Sequence, residues 1–213
     1  MMKYSGILCI ISAPSGTGKS TLIQTVIQYD RFVYPTKLSI SYTTRTKRPG
    51  EIHGKDYYFI SEKAFKYMID KNMFFEYAII FNHYYGTAKS NIEMMLNAGI
   101  HIVLNIDWKG AQQIRSKISK NIYTIFILPP SKKELAHRLY LRGEDTETVI
   151  AARMDQAMDE ISHFKEYDYV IINDNFNIAL IHLQSIMLSE QLRIAHQKIR
   201  YATLIDHLLL PDI

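Results

Sequence analysis

The chain has 213 residues, a formal charge of +4, 47% hydrophobic and 22% charged residues, the balance of one sizeable α/β domain with insertions. The mild positive charge suits an anionic small-molecule substrate, and without a Lys/Arg block nothing points to nucleic acid as a partner. The single cysteine, Cys9, excludes an internal disulfide and fits a reducing cytoplasm; no run has the length of a membrane span or the form of a secretory signal.

In chain order, Ile7–Ser12 reads as a buried strand and leads into Ala13-Pro14-Ser15-Gly16-Thr17-Gly18-Lys19-Ser20, after which Thr21 opens a helix running to about Gln28. Strand, Gly-rich turn, Lys-Ser and helix make a P-loop arrangement, with Ala13 where the strict pattern has glycine. Gly16 and Gly18 let successive N–H groups turn inward as a nest for phosphate oxygens, and the helix N-terminus adds its positive end. Lys19 would reach the β- and γ-phosphates, and the Ser20 hydroxyl would ligate Mg²⁺. The alternative is a Gly/Ser loop that only joins strand to helix.

Further strands are expected at Leu38–Ser41, Ile100–Ile106, Ile122–Leu128 and Tyr169–Ile172, with helices between most of them, one of them Lys89–Asn97. This alternation argues for a mostly parallel five-stranded core sheet covered on both faces. Between about Ser41 and Gly86 it breaks: strand-like Tyr57–Ile60 and Met73–Phe81 flank a helix near Lys63–Ile69, as in a small inserted mixed α/β subdomain. Pro129-Pro130 ends a strand, and Ser131 with Glu134 forms a capping-box pattern for Lys132–Leu141. Arg142-Gly143-Glu144-Asp145-Thr146-Glu147 then reads as a lid excursion before a helix from about Thr148. The chain ends in a helical stretch, about Ile178–Leu210, in which Ile178, Ile181, Ser185 and Leu188 share a face expected to meet the core. The same stretch can serve a homo-oligomer interface.

Arg45, Lys47 and Arg48 follow the hydroxyls of Ser41 to Thr44. Arg45 and Arg48 can clamp one phosphate, with the hydroxyl of Tyr57 or Tyr85 as a neutral donor; a solvated basic loop reads equally well. Glu76 is a charge inside the apolar Met73–Ala78 segment. Its paired oxygens match guanine's N1–H and N2–H₂, whereas adenine, an acceptor at N1, would leave the buried carboxylate unpaired; the alternative is a strand residue facing solvent. Asp107 closes the buried strand Ile100–Ile106 where ligands collect in open α/β sheets, and suits a role beside Mg²⁺. Arg138 and Arg142 share a helix face and, with Arg153, can converge on a transferring phosphoryl group; each alone also reads as a solvated basic face.

Taken together, Ser12 to Ser20, Ser41 to Arg45, Arg48-Pro49-Gly50-Glu51, Gly54-Lys55-Asp56-Tyr57, Tyr84-Tyr85-Gly86-Thr87, Ile106-Asp107-Trp108-Lys109-Gly110, Arg142-Gly143 and Ile172-Asn173-Asp174 resemble the bacterial guanylate kinases, along nearly the whole chain. The resemblance implies a core (about 1–37, 93–130 and 153–213), a GMP-binding subdomain (about 38–92) and a helical lid (about 131–152). It implies ATP and GMP as substrates, GDP formation with Mg²⁺, and a place in purine metabolism. By it, Arg45, Arg48, Tyr57 and Tyr85 bind the GMP phosphate; Ser41, Glu76 and Thr87 read guanine with help from Asp107. Residues 13 to 21 and Asn173 bind ATP, and Lys19, Arg45, Arg138, Arg142 and Arg153 are catalytic. The family usually has Asp-x-Asp where this chain has Asn105-Ile106-Asp107, so Asn105 brings an oxygen without the charge to the water shell of the metal. Two other readings compete: a guanylate-kinase-like binding module without activity, opposed by the complete P-loop, and a P-loop kinase with another acceptor, opposed by Glu76. Nothing in these residues addresses the ribose 2′-OH, so dGMP is a further candidate acceptor.

Overall fold

A computed structural model describes residues 5–28, 32, 34–80, 82–141 and 147–210. In chain order the elements are β1 (Leu8–Ser12), α1 (Lys19–Gln28), β2 (Thr36–Leu38), β3 (Tyr42–Thr43), β4 (Tyr58–Phe59), α2 (Glu62–Asp70), β5 (Phe74–Ile80), β6 (His83–Ala88) and α3 (Lys89–Asn97). They continue as β7 (His101–Asn105), α4 (Trp108–Arg115), β8 (Ile122–Leu128), α5 (Lys132–Leu141), α6 (Glu147–Ser162), β9 (Tyr169–Ile172), α7 (Phe176–Gln191), α8 (Ile194–Arg200) and α9 (Ala202–Leu208).

Five strands form one sheet in the order β2-β7-β1-β8-β9, every pair parallel. β1 is buried from end to end at its centre, as its unbroken apolar run requires. Its side chains alternate between the faces: Cys9 and Ile11 join Leu22, Ile23, Val26, Leu183 and Met187, while Leu8 and Ile10 join Ile92, Ile114 and Ala111. Helices α1 and α7 thus cover one face, α3 and α4 the other. The expected alternation of strands and helices appears as this parallel, doubly covered sheet.

The inserted segment builds a second sheet, β4-β3-β6-β5, in which only β3 and β4 run parallel. Phe65 of α2 stacks on Phe74 with ring centroids 4.5 Å apart, giving this sheet its own small core. The edge strand β5 lies against α4 of the core and the turn that follows it: Tyr77 N–H donates to Gln113 Oε1 (3.2 Å), Gln113 Nε2 donates to Tyr77 O (2.8 Å) and, just past the helix, Lys117 Nζ donates to Phe75 O (2.5 Å). A side-chain amide here takes the place of a neighbouring strand.

Three expectations are corrected. The second core strand is Thr36–Leu38, not Leu38–Ser41, because from Ser41 onward the chain must reach the other sheet, where Tyr42 pairs with Tyr58. The C-terminal stretch is three helices, interrupted at Leu192-Arg193 and at Tyr201. Its core-facing stripe is Ala179, Leu183 and Met187, whereas Ile178 and Ile181 are 52% and 60% exposed. Apolar residues surround α7 on all sides, so periodicity alone does not choose its face; packing against α1 does.

Ser131 caps α5 by accepting from Glu134 N–H (3.0 Å), while the Glu134 carboxylate turns forward to Arg138. The start of β1 is held by His101, whose Nδ1 accepts from Ile7 N–H (2.9 Å), a role only the unprotonated nitrogen can fill. Burial, then the charges of Arg200 and His196, hold this imidazole down from 6.5 to about 4. The unfolded chain therefore binds a proton that the folded one refuses, and the stability present above pH 6.5 is lost as pH falls from 6.5 towards 4. His101→Asn, which keeps an acceptor but does not titrate, should flatten that part of the pH dependence of the urea midpoint; an unchanged slope would remove His101 from the account.

Candidate active site

The loop between β1 and α1 curls because Gly16 and Gly18 take φ of 85° and 88°, a region closed to most side chains. Thr17 pins the curl by donating its hydroxyl to Pro14 O (2.7 Å). The loop opens into a cavity of about 530 Å³ whose lining runs from Ala13 through Thr21 to the second sheet. It lies at the carboxyl end of β1, between β7 and β8, where open α/β sheets collect ligands.

At the loop end, Lys19 Nζ donates to Ile106 O (3.2 Å). Burial lowers the pKa of its ammonium, and the carboxylates of Glu160 and Asp107 oppose that fall. Asn105 at the end of β7 donates from Nδ2 to Ser20 Oγ (3.3 Å), and Asp107 caps α4 by accepting from Gly110 N–H (2.8 Å). Arg138 and Arg153 line the same side. Arg138 is held by Glu134 (Nε to Oε1, 2.7 Å) and by the backbone oxygen of Asn173 (3.1 Å). Arg142 lies outside the described residues.

At the far end, Ser41, Arg48, Tyr57, Glu76 and Tyr85 line the cavity. Glu76 is 3% exposed and accepts the Thr87 hydroxyl on Oε1 at 2.6 Å; Thr87 itself is buried behind it. Burial pushes the Glu76 carboxyl up to about 7, against the hydrogen bond from Thr87 and with the help of Asp107. Arg45 stands just outside the lining, its guanidinium on Glu51 Oε1 (2.6 Å) and 5.6 Å from the Tyr57 ring centroid. Glu51 also accepts the Arg48 N–H (2.8 Å), so one carboxylate arranges both arginines of the segment.

The structure thus gathers most of the residues expected at a site. Asn173 stands apart: it is 5% exposed, outside the lining, and its Nδ2 donates to Thr17 O (2.6 Å) from behind the loop. Sequence reasoning missed Gln156 and Glu160, which line the cavity from α6 one and two turns beyond Arg153. The spacing 153, 156, 160 is one helix face, and polar residues recurring at that spacing were the available signal. Gln156 Nε2 donates to Glu160 Oε1 (3.0 Å), and burial raises the Glu160 carboxyl to about 7 despite Lys19. Ala78 and Ile80 on β5 were also missed; nothing in their type marks them.

The arrangement offers a phosphate nest with a lysine at one end, a buried carboxylate at the other, and arginines along both. No group of three His, Cys, Asp or Glu residues arranged for a metal occurs among the described residues. No described helix is long and apolar enough to cross a membrane.

The family model for guanylate kinase matches residues 5–190. The chain is 91% identical over 212 residues to the guanylate kinase of Blochmanniella pennsylvanica and 53% identical over 204 residues to that of Yersinia pestis, each alignment covering at least 96% of both chains. The fold is similar to a crystal structure of guanylate kinase from Anaplasma phagocytophilum, with a TM-score of 0.78 at 30% identity and full coverage of both chains.

If Asn173 acts through the loop rather than by touching a base, Asn173→Ala should weaken ATP and GTP binding alike and lower stability by about 1–3 kcal/mol, the cost of an unpaired buried carbonyl. Calorimetric titration with both nucleotides checks this; a loss confined to ATP would place the side chain at adenine.

Proposed function

The chain belongs to the guanylate kinase family, and on that footing we propose that it transfers the γ-phosphoryl group of ATP to GMP, giving ADP and GDP. One observation carries the reading: the P-loop and a buried glutamate close opposite ends of a single cavity. Residues 13 to 21 take the triphosphate, with Asn173 bracing the loop. Arg45, Arg48, Tyr57 and Tyr85 take the GMP phosphate. Ser41, Glu76 and Thr87 read guanine, with Asp107 alongside.

A GMP phosphate oxygen attacks the γ-phosphorus as its bond to the β–γ bridging oxygen breaks. That oxygen is already anionic at neutral pH, so the step needs no general base. The protein's contribution is to hold two polyanions in line and offset their repulsion with Lys19, Arg45, Arg138, Arg142 and Arg153. Glu76 accepts guanine's two donors, while adenine would leave it desolvated and unpaired. Magnesium, when bound with ATP, neutralises charge on the β- and γ-phosphates. Ser20, with Asp107 or Asn105 through water, would hold it, an all-oxygen donor set of the kind that hard cation takes. The inserted subdomain (about 38–92) and the lid (about 131–152) close over the substrates so that water does not intercept the phosphoryl group. The reading extends to dGMP and places the reaction in the cytoplasm.

A coupled assay with ATP and a panel of nucleoside monophosphates, with ATP alone as blank, tests the assignment; GMP should be the preferred acceptor. In that assay Arg45→Met should lower kcat/KM for GMP about thirtyfold or more while circular dichroism stays unchanged, the cost of removing one member of a phosphate clamp. Unchanged turnover would exclude Arg45 from the site. Glu76→Gln should erode the preference for GMP over AMP. Because guanine needs the carboxylate and the free protein protonates Glu76 below about 7, KM for GMP should rise as pH falls through that range, and the variant should lose this component. An undiminished preference would move base reading elsewhere.

A further inference from the structure

Gly110 is the third residue of α4, in ordinary helical backbone and buried. Its φ is not among the positive ones found at Gly16, Gly18, Gly50, Gly54 and Gly99, so no turn requires glycine here. Alanine would suit a helix better. What alanine would meet is specific: a Cβ at this position would stand 2.6 Å from Glu76 Oε2, 3.1 Å from its Cδ and 3.3 Å from Asp107 Oδ1.

The atom struck first is the free end of a side chain, not backbone. The helix can keep its course, and its N–H can still cap onto Asp107. The Glu76 carboxylate would have to turn, and turning takes it out of its present place on the cavity wall. Oε1 is tied to the Thr87 hydroxyl at 2.6 Å on the β6 side, and the group is almost wholly buried. Strand β5 is fastened on both sides of this point, to α4 through Gln113 to Tyr77 and to the turn after α4 through Lys117 to Phe75, so the strand cannot simply retreat.

We propose that Gly110 is a positioning residue for base selection: its bare Cα forms the seat that sets the Glu76 carboxylate where two adjacent donors of a purine can reach it. The proposal rests on the reading of Glu76 as the guanine acceptor. It adds a determinant on the core side of the cleft to those on the inserted sheet, so base selectivity depends on how α4 meets β5.

The test uses the full-length enzyme. Gly110→Ala should raise KM for GMP about tenfold with kcat changed less than about threefold and KM for ATP unmoved, and should narrow the ratio of GMP to AMP turnover. Shortening the acid should relieve the contact: Gly110→Ala with Glu76→Asp should bind GMP better than the two single effects combined predict. An additive pair, or a folded Gly110→Ala enzyme with unaltered KM and selectivity, would overturn the proposal. If Gly110→Ala does not fold, the double variant with Glu76→Ala decides. Recovery of folding identifies the carboxylate as the obstacle, and failure to recover shows that Gly110 serves only packing. Failure of the underlying reading looks different: a wild-type enzyme indifferent to the base, or Glu76→Gln with full preference, whatever Gly110→Ala does.

Discussion

A carboxylate buried at the seam between two sheets sets the terms for the rest of this molecule. Glu76 is carried by an edge strand of the inserted sheet, backed by Thr87 from the next strand and faced by the first turn of a core helix. Desolvation alone would favour the protonated acid, and its pKa is accordingly pushed up to about 7. A buried charge of this kind is expensive unless donors meet it. Gln113 of α4 and Lys117 just after that helix fasten β5 at the two residues flanking Glu76, which holds the strand that carries the carboxylate.

The cations around the cavity are handled by a related device. Arg45 is matched by Glu51, Arg138 by Glu134, and Lys19 feels Glu160 and Asp107. Partly exposed pairs of this kind contribute only about 0–1 kcal/mol, so they add little to the stability of the fold. The pairing offsets the repulsion between like charges around the cavity and fixes the direction of each guanidinium. Asn173 ties the loop end together, bracing the P-loop with its side chain and Arg138 with its backbone oxygen.

Legibility differed by the kind of signal. β1, the P-loop and α1 were plain because each carries a local cause: a doubly buried strand needs an unbroken apolar run, and the loop needs Gly16 and Gly18 for its positive φ. Glu76 was legible because a charge in an apolar strand is costly without a purpose. The face of α7 was misread because its apolar residues lie all round, and the end of β2 was misplaced because the chain leaves one sheet for another there. Glu160 and Gln156 went unnoticed for a different reason: polar residues on a helix look alike whether they face water or a cavity.

By itself the sequence determined the alternation of strands and helices, the position of the P-loop, the family, and the chemical types available around the cavity, since propensity, periodicity and motif spacing are local properties. Only the tertiary structure decided which side chains share a space. It put Glu51 between two arginines, turned Asn173 behind the loop rather than into the cavity, and set Gly110 against Glu76. Those relations join residues 3 to 156 positions apart, and the one between Gly110 and Glu76 exists only where the inserted sheet meets α4.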